Sequence, residues 1–317
     1  MGNKKTLDLL ERIAVALERI ADVLNETHIN IATHNLATNH KDHENLSHVL
    51  KELDDNVINE FLNQHSIQIK TVPLEDSADE IINSLSEFLG KNYDGLHELL
   101  AKIKRNMQQG DFITLSMKHY TQKDVSNVCQ FATRLHEIAF LEQYRYFKSP
   151  QYLIRAKTTT LPTAQNFFSG KWLERFVLLT TKSAVNLASQ ELEQELAFSY
   201  LLNPQIVLPN GDDFELDLIF HVNEAFYWIE AKSGDYQQHI SKYSKMSRIL
   251  NLDYRHSIMV LTDIDSSKSD ALTSLFTMTV LSLSELEEIL IATIKADQVA
   301  SLLDTSTSCE NAINSRT

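Results

Sequence analysis

Leu10, Ile13, Leu17, Ile20 and Leu24 recur at intervals of three and four, and the string Leu-Glu-Arg-Ile-Ala stands at 10–14 and again at 17–21. A seven-residue apolar repeat makes a helical seam, so residues 7–24 are expected to form a short coiled coil, with residues 1–26 an oligomerisation helix and the chain a homo-oligomer. Two heptads are marginal alone, and an amphipathic helix packed on its own domain is the other reading of this stripe. Residues 27–65 are polar, without a strong apolar stripe until Val57, Ile58, Phe61 and Leu62, and read as a linker or frayed helix. His34, His40, His43 and His48 within them repeat no compact ligand spacing and read as solvated.

From residue 66 to 160 the pattern changes to an accessory α+β domain. It predicts a strand at Ile67–Val72, helices at Ala78–Leu89 and Gly95–Met107, a strand at Phe112–Met117, a long helix over Lys123–Tyr146 and a strand at Tyr152–Arg155. Thr158–Gln165, with Pro162, reads as a linker. No catalytic constellation falls in this region, which suits docking or recognition.

Alternation is strongest between residues 205 and 232. After Asn210-Gly211 come an apolar-rich run, Phe214–Val222, the pair Asn223-Glu224, and a second run, Ala225–Ser233. As a hairpin with a two-residue turn, Val222 opposes Ala225 and Asp217 opposes Glu230, placing two carboxylates side by side with Cβ atoms about 5 Å apart. Like charges so placed are destabilising unless something positive joins them. Period-two alternation puts Lys232 on the face of Glu230, and hard cations such as Mg²⁺ take carboxylate oxygens. Two acids and a lysine around such an ion suit phosphodiester hydrolysis, with Lys232 orienting the attacking water or stabilising the developing charge.

Upstream, Phe167-Phe168-Ser169-Gly170-Lys171-Trp172-Leu173-Glu174 opens a helix that continues through Arg175, Phe176 and Val177. The succession of a Gly-x-Trp-Leu-Glu helix, a Glu215-Leu216-Asp217 strand and an Ile229-Glu230-Ala231-Lys232 strand resembles the PD-(D/E)XK nuclease superfamily. The nearest likeness is to the nuclease domains of CRISPR-associated effectors activated by cyclic oligoadenylates, and it covers the C-terminal half only. The resemblance implies that Asp217, Glu230 and Lys232 are catalytic. It implies that Asp217, Glu230, the backbone carbonyl of Ala231 and Glu174 hold Mg²⁺ or Mn²⁺, and that DNA or RNA is the substrate. Leu216 stands where the superfamily's name has proline. The N-terminal half lacks the strand–helix alternation of a nucleotide-sensing domain, so control by a cyclic oligonucleotide is not implied; a recruiting protein or other activator fits instead.

A helix is expected over Tyr236–Leu250, with Gln238, His239 and Tyr243 in its first turns as candidate substrate contacts. Strands at Ser257–Thr262 and Met278–Leu283 and a closing helix over Ser284–Ile294 complete an α/β, restriction-endonuclease-like domain, residues 161–300, its central mixed sheet flanked by helices. Residues 301–317, rich in Ser, Thr and Asn, read as a disordered tail. Trp172 and Trp228, bulky aromatics beside charged positions, read as core.

The net charge of −14 argues against broad phosphate-backbone binding. It is uneven: residues 151–260 carry 10 Lys and Arg against 12 Asp and Glu. On the helix after the hairpin, Lys242, Lys245 and Arg248, with Arg255 beyond, are the basic candidates for a nucleic-acid groove. Two distant cysteines, Cys129 and Cys309, make no disulfide framework, and no signal peptide or membrane span is drawn, so a cytoplasmic location is expected. The alternative to the nuclease is a non-catalytic interaction or scaffold protein built on a nuclease-like domain. A role in defence or genome maintenance follows from family analogy alone.

Overall fold

The computed structural model describes residues 57–314 except Glu75, Asp235, Gln238 and His239. The heptad segment, most of the polar stretch after it, and the candidate contacts Gln238 and His239 therefore lie outside the described residues. The chain forms two compact units, Met1–Asn59 and Glu60–Thr317. Of the first, only residues 57–59, the opening of helix α1 (Val57–Gln64), are described.

Strand β1 (Gln68–Thr71) leads to helices α2 (Asp79–Lys91) and α3 (Tyr93–Asn106), strand β2 (Phe112–Ser116), helix α4 (Gln122–Glu137) and strands β3 (Leu141–Phe147) and β4 (Leu153–Thr158). The long helix expected to reach Tyr146 stops at Glu137. Ala139 turns the backbone to φ 60°, and residues 141–147 go on as a strand. Its period of two explains this: Tyr144 and Tyr146 pair with Ala156 and Ile154 on the core face, while Gln143, Arg145 and Phe147 look outward. Helix α4 starts where Thr121 accepts the Asp124 amide at 3.1 Å, an N-cap.

The expected linker over Thr158–Gln165 is ordered and packed. Thr158 and Thr159 are buried, the Thr158 hydroxyl donates to Asp111 O at 3.0 Å, and Pro162 opens a short helix, α5 (Pro162–Asn166). A π turn, Phe167–Lys171, delivers the chain to α6 (Trp172–Leu192). Trp172 and Trp228 are both fully buried, as expected.

Two small strands, β6 (Gln205–Val207) and β7 (Asp213–Glu215), join β1 in a three-stranded sheet ordered β1-β6-β7. The main sheet is ordered β11-β10-β9-β8-β5, from β5 (Phe198–Leu202), β8 (Leu218–Val222), β9 (Ala225–Lys232), β10 (Ser257–Leu261) and β11 (Thr279–Ser282). Strands β5, β8 and β9 are antiparallel neighbours and β9, β10 and β11 parallel ones, a mixed sheet. The hairpin register holds, with Val222 opposite Ala225 and Leu218 opposite Ile229. The first hairpin strand, however, is not continuous: β7 and β8 belong to different sheets, and residues 216–217 are the crossing between them.

One face of the main sheet, with Leu218, Phe220, Tyr227 and Ile229, shares a core with α6. On the other, Trp228 meets Tyr243 of α7 (Ile240–Ile249), ring centroids 6.4 Å apart. Helix α8 (Ser266–Phe276), capped by Asp265, was not expected between the last two strands. The closing helix α9 (Leu286–Asn314) runs through the tail expected to be disordered. No glycine or proline follows Gly234, so nothing in the backbone chemistry stops it. The Tyr227 hydroxyl and His256 Nε2 both meet Asp297 of α9, the second at 3.0 Å. Among the described residues no helix is long and apolar enough to cross a membrane.

Candidate active site

Asp217 lies at the crossing where the chain leaves the small sheet for the large one. Its backbone carbonyl accepts the Asn203 amide at 3.0 Å, while the preceding Leu216 amide donates to Pro204 O at 3.2 Å, so both sides of the crossing are pinned. Its carboxylate points at the end of β9, where Oδ2 accepts the Ala231 amide at 2.8 Å and the Lys232 ammonium at 3.1 Å. Lys232 Nζ also lies 2.7 Å from Glu230 Oε1. The period of two within β9 puts Glu230 and Lys232 on the face of Trp228 and Tyr243, opposite the core face.

Both acids are buried, Asp217 at 4% exposure and Glu230 at 2%, and Glu230 Oε2 has no hydrogen-bond partner among the described residues. Burial, with the Asp217 charge, pushes the Glu230 carboxyl up to about 8, against the opposing pull of Lys232. A rise from 4.5 to about 8 corresponds to roughly 5 kcal/mol against ionisation, more than one ordinary hydrogen bond returns. Burial weighs against the Lys232 ammonium too, but Glu230 and Asp217 outweigh it and hold it charged.

Glu174, in the first turn of α6, joins this cluster. Burial first and then the Asp217 charge lift its carboxyl to about 7, and Asn203 Nδ2 donates to its Oε2 at 2.9 Å. Asn203 thus fixes two of the acids at once, from a backbone φ of 53° that asparagine adopts more readily than most residues. It was missed in the sequence, although Asn203-Pro204 is a turn dipeptide. Lys104 of α3 was missed as well: its ammonium donates to Ser233 Oγ at 3.1 Å and secures the chain just after Lys232.

Tyr243 is buried at 5% exposure. Its hydroxyl bonds the Glu230 carboxyl and its ring centroid lies 5.6 Å from Lys232 Nζ. The structure thus brings Asp217, Glu230, Lys232, Glu174 and Tyr243 together around residue 231. Lys242 lies over the Phe214 ring, and Arg255 pairs with Asp253.

A divalent ion suits this chemistry: hard oxygen donors converge, and one buried carboxylate oxygen lacks a partner. Among the described residues, however, no three His, Cys, Asp or Glu side chains stand close enough to hold a metal ion, and Lys232 lies between the two acids.

No protein-family model matches the chain, and no curated protein matches it. Among solved structures, several are similar, two of them as follows. Protein VC1899 from Vibrio cholerae has 17% identity over 75% of this chain and 60% of its own, with a TM-score of 0.50. Can2 from Sulfobacillus thermosulfidooxidans, in complex with cyclic tetra-adenylate, has 15% identity over 75% and 61%, with a TM-score of 0.49. The chain thus spans about 60% of VC1899's length, and at this identity the likeness concerns the mixed α/β fold alone.

Proposed function

We propose that this protein is a metal-dependent nuclease of PD-(D/E)XK type that hydrolyses phosphodiester bonds in DNA or RNA. The observation that carries the reading is the convergence of Asp217 and Glu230 on Lys232 at the end of β9, with Glu174 beside them.

Asp217, Glu230, the Ala231 carbonyl and Glu174 would hold Mg²⁺ or Mn²⁺. Such an ion lowers the pKa of a bound water and offsets charge on the phosphoryl oxygens. Lys232, held as an ammonium, donates to the attacking water or to the phosphate as negative charge develops. Tyr243 acts from the protein side, donating to Glu230 and keeping its carboxylate aimed. Asn203 holds Glu174 and the Asp217 backbone in one frame. In the rival reading the domain is a non-catalytic scaffold. It is favoured by the lack, among the described residues, of a three-residue metal cluster.

The test is cleavage of single- and double-stranded DNA and RNA with Mg²⁺, Mn²⁺ or EDTA, beside Asp217→Asn and Lys232→Ala. Metal-dependent cutting reduced by a factor on the order of 10² or more in both variants is expected. Folded protein that cuts nothing, or variants that cut like wild type, would transfer the assignment to the scaffold.

A further inference from the structure

The sheet ordered β2-β4-β3 presents one face to the core and one to solvent. Register sets the outward residues in three rows: Phe112, Lys157 and Gln143; Thr114, Arg155 and Arg145; Ser116, Leu153 and Phe147. None of the nine is buried and none is acidic. Arg145 and Arg155 stand directly opposite each other, an arrangement that costs stability in an antiparallel pair. Among the described residues neither has an ion-pair partner; Lys157 pairs with Glu142. Each guanidinium instead lies over an aromatic ring, Arg145 at 4.9 Å from the Phe147 centroid and Arg155 at 4.8 Å from that of Phe112. Phe112 keeps 50% of its surface exposed.

We infer that this face is a docking surface for single-stranded nucleic acid. Two arginines without ion-pair partners among the described residues, in a chain of net charge −14, mark where a polyanion would be held, and each phosphate contact releases counterions. The rings choose among polyanions. Phe112 and Phe147 occupy opposite corners of the face, about 17 Å apart by ordinary strand spacing. An unpaired base stacks on each while the intervening phosphates pass over the arginines. A duplex hides its base faces, and an acidic polypeptide has nothing comparable to stack. The inference goes beyond the nuclease reading, because the surface is separate from Asp217, Glu230 and Lys232 and requires no metal.

Binding of the full chain to fluorescent oligothymidylate and oligouridylate, measured by anisotropy in EDTA, tests it. A duplex of equal length serves as a parallel probe and polyglutamate as a competitor. Expected is saturable single-strand binding, weakened roughly tenfold or more by Arg145→Ala with Arg155→Ala. The magnitude of the logarithmic salt slope should fall by about 1.4, ~0.7 per phosphate contact. Phe112→Ala with Phe147→Ala weakens single-strand binding about fivefold or more, and the Arg-to-Lys pair retains most of the salt slope. Wild-type melting temperatures certify the fold of these surface variants. Absent binding, either alanine pair binding like wild type, or duplex or polyglutamate competing as well as the single strand would overturn the inference. Lys295→Ala, a surface lysine paired with Glu191 outside both this face and the candidate active site, is expected to bind normally; loss of binding there would mean that undirected charge attraction holds the strand and would overturn the inference. Failure to cleave leaves this result standing, so the two readings fail separately.

Discussion

Glu230 carries a sharp electrostatic conflict, a carboxyl buried beside Asp217 with one oxygen lacking a hydrogen-bond partner among the described residues. Its folded-state pKa, about 8, lies above the ordinary 4.5. Its contribution to metal-free stability is therefore full below about pH 4.5 and is lost as pH rises through about 8. Glu174, raised to about 7, acts in the same direction. In EDTA the melting temperature should fall between roughly pH 4.5 and pH 8, and the gain from Mg²⁺ should grow at the upper end of that interval, as the folded acids release their protons around pH 7 to 8. Glu230→Gln should raise metal-free stability by about 2 kcal/mol near pH 8, flatten much of the pH trend and abolish the Mg²⁺ gain, the opposition between stability and function expected of a catalytic group. Thermal melts of both proteins across this range decide it, and a wild type indifferent to pH and metal would count against the site.

Helices α2 and α6 approach closely at Gly90, where a Cβ would stand 2.2 Å from Phe176 Cδ2. Alanine ordinarily improves a helix interior by about 0.5–1 kcal/mol, but overpacking costs about 1–3 kcal/mol, and contact this short gives overpacking the advantage. Gly90→Ala should therefore destabilise by about 1–2 kcal/mol in urea titration. The second-site change Phe176→Ala should remove most of that penalty, and additive losses in the double variant would contradict the account. Nothing in the sequence around Gly90 announces this contact, because it is made across the fold. The same division runs through the other elements. Alternation made the β8–β9 hairpin and its register, from Val222 opposite Ala225 to Leu218 opposite Ile229, legible, since register follows from a two-residue turn. It left unseen the crossing at residues 216–217, because β7 acquires a separate sheet only through β6 and β1, which pair from a distance. The break between α4 and β3 was written in the alternation of residues 141–147 but read as helix. Asn203 was hidden because its role depends on α6 and β8 meeting.

The accessory elements and the candidate nuclease elements share one core, from Leu85 in α2 through Phe131 in α4 to Tyr227 in β9. The junction is specific as well as apolar. Tyr93 stacks on Trp172 with centroids 5.7 Å apart, Asp79 pairs with Arg175 at 2.7 Å, and Phe140 lies 5.6 Å from Phe167. These contacts fall on the turns either side of Glu174, so the accessory elements help hold the start of α6 against Asp217. A fragment of residues 161–317 would expose Trp172 and Phe168 and should lose its cooperative transition and near-ultraviolet signal. The full chain should unfold through this core in one step. Trp172→Phe leaves Trp228 as reporter of the sheet, and Trp228→Phe leaves Trp172 as reporter of the junction. Coincident denaturation midpoints, after correction for each variant's own stability by circular dichroism, are the expected result. A Trp172 transition at clearly lower denaturant than that of Trp228 would mean that the accessory elements release first and that the proposed active site is assembled without them.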